Sequence, residues 1–184
     1  MTDSPSPPYT RTAVALHWIL ALALAGLFGM GLYMADLPLS PLRIKLFNWH
    51  KWAGICVLAL SLLRLFWRLS HRPPALPEPI EQAMPSWQLR IYHALHWVFY
   101  ALFLLVPLIG WAYSSAAGFQ VVLFGVLPLP NWVPHDKALA DWIKPWHEIS
   151  AWTLACLVVL HVAAALKHHF VDRDGLLQRM RFKN

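Results

Sequence analysis

The sequence predicts an all-α membrane protein: a four-transmembrane-helix bundle with both termini on the cytoplasmic side. Three observations predict it. The 184 residues are 58% hydrophobic and 13% charged, with a mean hydropathy of +0.47 and eleven tryptophans, a composition foreign to water-soluble domains. Four stretches, 13–33, 49–69, 91–113 and 146–167, reach the roughly 20 apolar residues that a bilayer-crossing helix needs. Lysine and arginine collect on alternate connections, as they do in multi-pass proteins. Four such helices use most of the chain, so one domain is expected over 9–181, with short tails at 1–8 and 182–184.

Taken in order, the opening "MTDSPSPPYTR" lacks the basic region that precedes a signal-peptide core, and the first span is expected to be retained. The connection "HRPPALPEPIEQAMP" holds five prolines, which forbid a continuous helix and stiffen the link between spans two and three. Between spans three and four, "GFQVVLFGVLPLPNWVPHDKALADWIKP" is longer and partly apolar. Its first half is expected along the membrane surface, and "HDKALADWIK" as a short amphipathic helix with Asp136 near its start. Cys56 and Cys156 fall inside spans, outside any C-x-x-C or C-x-x-C-H motif, and read as packing residues.

Ten of the fifteen basic residues lie on one side: Arg11, Arg64, Arg68, Arg72, Arg90, Lys167, Arg173, Arg179, Arg181 and Lys183. Arg43, Lys45, Lys51, Lys137 and Lys144 lie on the other. The positive-inside rule therefore puts both termini in the cytoplasm and turns the connections at 34–48 and 114–145 outward. Trp18, Trp49, Trp52, Trp67, Trp97, Trp111 and Trp146 sit near span ends, where indoles favour the interface. Membrane topology accounts for the basic excess, so no nucleic-acid partner is called for. A Gly-rich phosphate loop, a hydrolase nucleophile elbow and H-E-x-x-H are all missing from the sequence.

Histidines inside apolar helices demand a reason, because ionisable groups there usually face a site or cavity. His147 and His161 are fourteen residues apart, which returns them to within about 40° of one face and separates them by about 21 Å along a helix. One metal ion cannot touch both. Partners occur at matching depths: His17 is level with His161 near the cytoplasmic surface, and His50 is level with His147 near the outer one. Two imidazoles per depth make a poor zinc site, which wants three or four ligands. They suit a haem, whose porphyrin supplies the other four nitrogens. Gly26, Gly29, Gly31 and Gly54 lie nearby and read either as helix–helix contacts or as clearance for a flat cofactor. A midplane metal-transport site would want acidic residues and broken helices, which are missing.

The motifs "ALHW" at 15–18, "NWHKWAG" at 48–54, "YHALHW" at 92–97, "KPWHE" at 144–148 and "LHVAAALKHH" at 160–169 occur in order. Together they resemble the bacterial cytochrome b561 family, four-helix proteins of the cytoplasmic membrane that hold two b-type haems. The resemblance implies two haem b per chain, with His17 and His161 as iron ligands on the cytoplasmic side and His50 and His147 on the outer side. It also implies electron transfer with quinone. The family's best-defined members oxidise superoxide outside and reduce ubiquinone, while related proteins are cytochrome subunits of hydrogenases or dehydrogenases.

On that resemblance, Arg64 and Arg68 become candidates to meet haem propionates on the inner side, with Arg43, Lys45 and Lys51 on the outer. Snorkelling to lipid phosphate is the competing use of each. His168 returns to the His161 face within about 20°, about 10 Å further toward the cytoplasm, and is the candidate proton donor to quinone. His93 and His96 can reach the same level; His71, His135 and His169 receive no role. The favoured reading is an inner-membrane superoxide:ubiquinone oxidoreductase. Its rival is a haem-bearing membrane anchor that relays electrons between quinone and a soluble dehydrogenase or hydrogenase subunit.

Overall fold

The computed structural model describes residues 9–182, so the expected tails lie outside it except for Phe182. Four long helices, α1 (Arg11–Asp36), α2 (Pro41–Ser70), α4 (Ser86–Ala116) and α5 (Lys137–Lys167), are each apolar and long enough to cross a membrane. A short helix, α3 (Glu78–Ala83), interrupts the proline-rich connection, starting where Pro77 and Pro79 permit a first turn and Glu78 and Glu81 favour it. α1 packs on α2, α2 on α4 and α4 on α5. Phe28 of α1 meets Trp152 of α5 edge-on at 4.9 Å. The start of α1 and the segment after α5 share one end of the bundle, called here the terminal end; the α1–α2 and α4–α5 connections form the hairpin end.

The helices outrun the apolar stretches that predict them. Ser40 caps α2, its hydroxyl accepting from Arg43 N at 3.2 Å, and Pro41 occupies the first turn. Arg43 and Lys45 are therefore helical residues and not part of a loop. Asp136 caps α5 in the same way, accepting from Leu139 N at 3.0 Å. The segment expected as a separate amphipathic helix is thus the first turns of α5 itself, which continues through Pro145. Hydropathy registers the thickness of the apolar slab, whereas a helix ends where its caps end it.

The α4–α5 connection also holds a small antiparallel hairpin, β1 (Val122–Leu123) and β2 (Leu127–Pro128). Its turn has positive φ at both Phe124 and Gly125, and Phe124 folds onto Trp52 of α2 at 5.8 Å. Ala112, Ala116, Ala140 and Ile143 form a buried cluster whose three alanines let α4 and α5 approach closely. The end of α4 is closed by Gly118, at φ +79°, and by His135, whose Nδ1 donates to Ala116 O at 3.0 Å.

At the terminal end the chain folds back across the bundle. After α5 comes one π-helical turn (His168–Asp172) and a 3₁₀ turn (Leu176–Met180). Trp18 Nε1 donates to Met180 O at 2.8 Å, and Trp67 Nε1 to the Thr10 hydroxyl at 3.0 Å. Buried Arg179 donates to Pro74 O at 3.2 Å and Ala75 O at 2.8 Å, fastening the C-terminal segment to the proline-rich connection.

Candidate functional site

Two pairs of histidines face each other across the bundle. His17 of α1 and His161 of α5 meet near the terminal end with ring centroids 6.3 Å apart. His50 of α2 and His147 of α5 meet near the hairpin end, also at 6.3 Å. Two imidazoles on opposite sides of one metal, each bonded at about 2 Å with its ring centroid about 1.1 Å behind the nitrogen, would have centroids about 6 Å apart. Both pairs have the spacing at which two imidazoles would hold one metal between them.

The hairpin-end pair is built for orientation. His147 Nδ1 donates to the backbone carbonyl of Val106 at 3.1 Å, which leaves Nε2 with a free lone pair. The ring reaches that carbonyl because Gly110 lies one helical turn beyond Val106 on α4. A Cβ at Gly110 would stand 2.9 Å from His147 Cε1. His50 Nδ1 is buried and has no hydrogen-bond partner among the described residues, and its Cε1 would lie 3.5 Å from a Cβ on Gly31. At Gly26, Gly29 and Gly54 an added Cβ would meet nothing within 4 Å, so these three glycines are not close helix contacts.

The terminal-end pair is more crowded. Arg64 Nη2 donates to His17 Nδ1 at 3.1 Å, while Phe99 and His96 stand against His161 at 5.4 and 6.2 Å between centroids. His96 is steered inward by a bond from its Nδ1 to Tyr92 O at 2.7 Å; His93 is exposed. Nitrogens of His17, His96 and His161 do not converge as a metal-binding trio, since among the described residues only His168, Asp172 and Asp174 do so. Arg64 and Arg68 have no carboxylate partner among the described residues. Both line a cavity of about 160 Å³ with Tyr9, Trp67, Tyr100 and Met180. Two cations without an acid at the edge of a bundle fit an anionic group arriving from elsewhere.

At the hairpin end, Arg43 lies over Phe47 at 5.6 Å and Lys45 over Trp49 at 4.7 Å. Both side chains cover their own helix. His168 opens the π-helical turn, and its Nδ1 lies 2.5 Å from Asp174 Oδ2 and 3.2 Å from Asp172 Oδ2. Lys167 binds Asp172 at 2.6 Å. His71 stacks on Trp67 at 3.9 Å between centroids, and His169 is exposed.

A bundle of four membrane-crossing helices with two facing imidazole pairs is the architecture of a multi-pass membrane cytochrome. The chain belongs to the prokaryotic cytochrome b561 family, whose pattern it matches over residues 8–183. It is 32% identical to cytochrome b561 homolog 2 of Escherichia coli K12, covering 97% of this chain and 93% of that protein. It is 29% identical to the probable superoxide oxidase CybB of Yersinia pestis, over 94% of each chain. A more distant relative, at 24% identity over 89% of this chain and 81% of its own, is the probable Ni/Fe-hydrogenase B-type cytochrome subunit of Azotobacter vinelandii. The family brings electron transport, haem b and the bacterial inner membrane with it. The donor set fits haem: facing imidazoles, open glycines and cations without acids.

Proposed function

We propose that the protein is a di-haem b-type cytochrome that moves electrons from superoxide on the periplasmic side to ubiquinone on the cytoplasmic side. The observation that carries this reading is the pair of histidine couples, each 6.3 Å between centroids, at opposite ends of the bundle. His17 and His161 would hold one haem, and His50 and His147 the other. Haem bound at both pairs supplies one-electron carriers at two depths of the membrane. Two superoxide ions each give up one electron and leave as dioxygen; ubiquinone takes two electrons and two protons and leaves as ubiquinol.

The chain's own groups divide the remaining work. Val106 and Gly110 orient His147, and Arg64 would turn from His17 to a propionate carboxylate, with Arg68 beside it. The terminal end carries most of the lysine and arginine, which supports a cytoplasmic assignment for it. His168, at that end, would give a proton to the quinone carbonyl and recover it from solvent. Similarity to a relative named probable superoxide oxidase supports superoxide as donor. Stopped-flow mixing of the purified holoprotein with superoxide, then with a soluble quinone, tests the proposal. Both half-reactions are expected, and failure of superoxide to reduce the haems would remove it as donor.

A second reading is favoured by the relative named as a hydrogenase B-type cytochrome subunit: the protein would relay electrons between quinone and a soluble redox subunit. Affinity purification from native membranes separates the two. A stoichiometric redox subunit that reduces the haems would carry the second reading.

A further inference from the structure

The turn that follows α5 gives His168 a fixed partner. The chain leaves the π-helical turn through Arg173 at positive φ (53°), which swings Asp174 back toward the helix it has just left, and Gly175, also at positive φ (77°), carries the chain on to Leu176. Its carboxylate is held at both oxygens. Oδ1 accepts the Leu176 N–H at 3.0 Å, and Oδ2 takes the His168 Nδ1 contact at 2.5 Å. The His168 and Asp174 side chains are 16% and 14% exposed, unlike the solvated ion pairs at Lys137–Asp141 and Lys144–Glu148. Asp172 stands on the other flank, 3.2 Å from the same nitrogen and bound to Lys167.

We infer that Asp174 is a positioning residue for His168, holding the proton on Nδ1 and aiming Nε2 at a substrate carbonyl. This inference rests on the reading of His168 as proton donor to quinone. A carboxylate on Nδ1 fixes the ring's orientation and its tautomer, so that every proton exchanged with substrate passes through Nε2. In the step itself the Nε2–H bond breaks and an O–H bond forms on the quinone oxygen. The Nδ1–H bond to Asp174 is kept throughout, the electrons come from the haems of the proposed function, and Nε2 is reprotonated from water at the terminal end. Asp172, neutralised by Lys167, is the weaker acceptor for the same N–H. The sequence "HHFVDRDG" carries the residues, but the left-handed turn at Arg173 brings Asp174 back to His168.

The test uses the holoprotein, reduced without oxygen and mixed with a short-chain soluble ubiquinone. Asp174→Asn keeps an acceptor for Leu176 N–H but no longer fixes the His168 proton. It is expected to lower the limiting rate of haem reoxidation by about ten- to a hundredfold, the cost of misaligning a proton donor, with the quinone KM and both haem spectra unchanged. Asp174→Glu should recover much of the rate. His168→Ala should be slow in the same way, and adding Asp174→Asn to it should cost nothing more. If His168→Ala is slow while Asp174→Asn reoxidises at the parental rate, or if the two losses multiply in the double variant, the positioning role is overturned. A parental rate for His168→Ala would instead overturn the proton-donor reading on which the inference rests.

Discussion

The His147 ring packs against the bare Cα of Gly110, so closely that a methyl group there would stand 2.9 Å from Cε1 and 3.1 Å from Nδ1. The same ring bonds the carbonyl of Val106, four residues back on α4. Pro107, the next residue, has no N–H and so leaves the carbonyl of Phe103 without its usual helical donor. Orientation of His147 thus depends on one absent side chain.

Gly110→Ala should gain up to about 1 kcal/mol in helix propensity. The imidazole must nonetheless move by several tenths of an ångström and stretch its bond to Val106. On the proposed ligation, a haem held by His50 and His147 should show a shifted spectrum and be held more weakly. Gly110→Val should overpack the contact, cost about 1–3 kcal/mol of stability and drop haem content toward half of parental. A pyridine haemochrome assay on each variant measures this.

That contact explains why the site was only partly legible in the sequence. Histidine depth follows from helical rise, so the pairing of His17 with His161 and of His50 with His147 in space could be read from spacing alone. Gly110 could not be, because nothing in "VPLIGW" says which neighbouring helix its bare face meets. Gly26, Gly29 and Gly54 suit either contact or clearance by sequence, and the open space around each excludes contact. The helix ends differ for another reason: Ser40-Pro41 caps α2 outside its apolar window, and the helix whose start at Asp136 is legible continues through Pro145 into the fourth span. The Asp174–His168 contact depends on the positive φ of Arg173, which local sequence does not suggest as it does at Gly175.

On the proposed ligation, losses should come in pairs. His17→Ala and His161→Ala should each abolish one and the same spectral component, and His50→Ala and His147→Ala the other. Low-temperature difference spectra of the four variants check it. Were His17 and His50 to behave as one pair, the assignment of haems to the two ends would fail.

Haem content follows from the same chemistry. The sequence has two cysteines, both free and neither in an attachment motif, so the cofactor should be held by ligation and packing alone. Acid–acetone extraction is expected to remove all colour, and haem assayed against protein should approach two per chain. Colour retained on the polypeptide would require a covalent link that no residue here explains.

The C-terminal segment should be detachable without loss of haem. Arg179 is 9% exposed and donates to the carbonyls of Pro74 and Ala75, with its guanidinium 5.4 Å from the Tyr9 ring. Arg179→Met keeps the apolar bulk of the side chain but removes both donations. Carbonyls near an aqueous edge can turn to water, so the cost should be moderate, about 1–3 kcal/mol. It should fall on the fold-back segment, because the histidine pairs draw on α1, α2 and α5 and not on the 3₁₀ turn. Hydrogen exchange is therefore expected to quicken across 173–182 and at Ala75 and Leu76, while the spectra of the proposed haems stay unchanged. Quinone reduction should slow as well, since the segment that carries Asp174 is no longer pinned. Unchanged exchange in the variant would mean that Trp18, through its bond to Met180 O, holds the segment by itself.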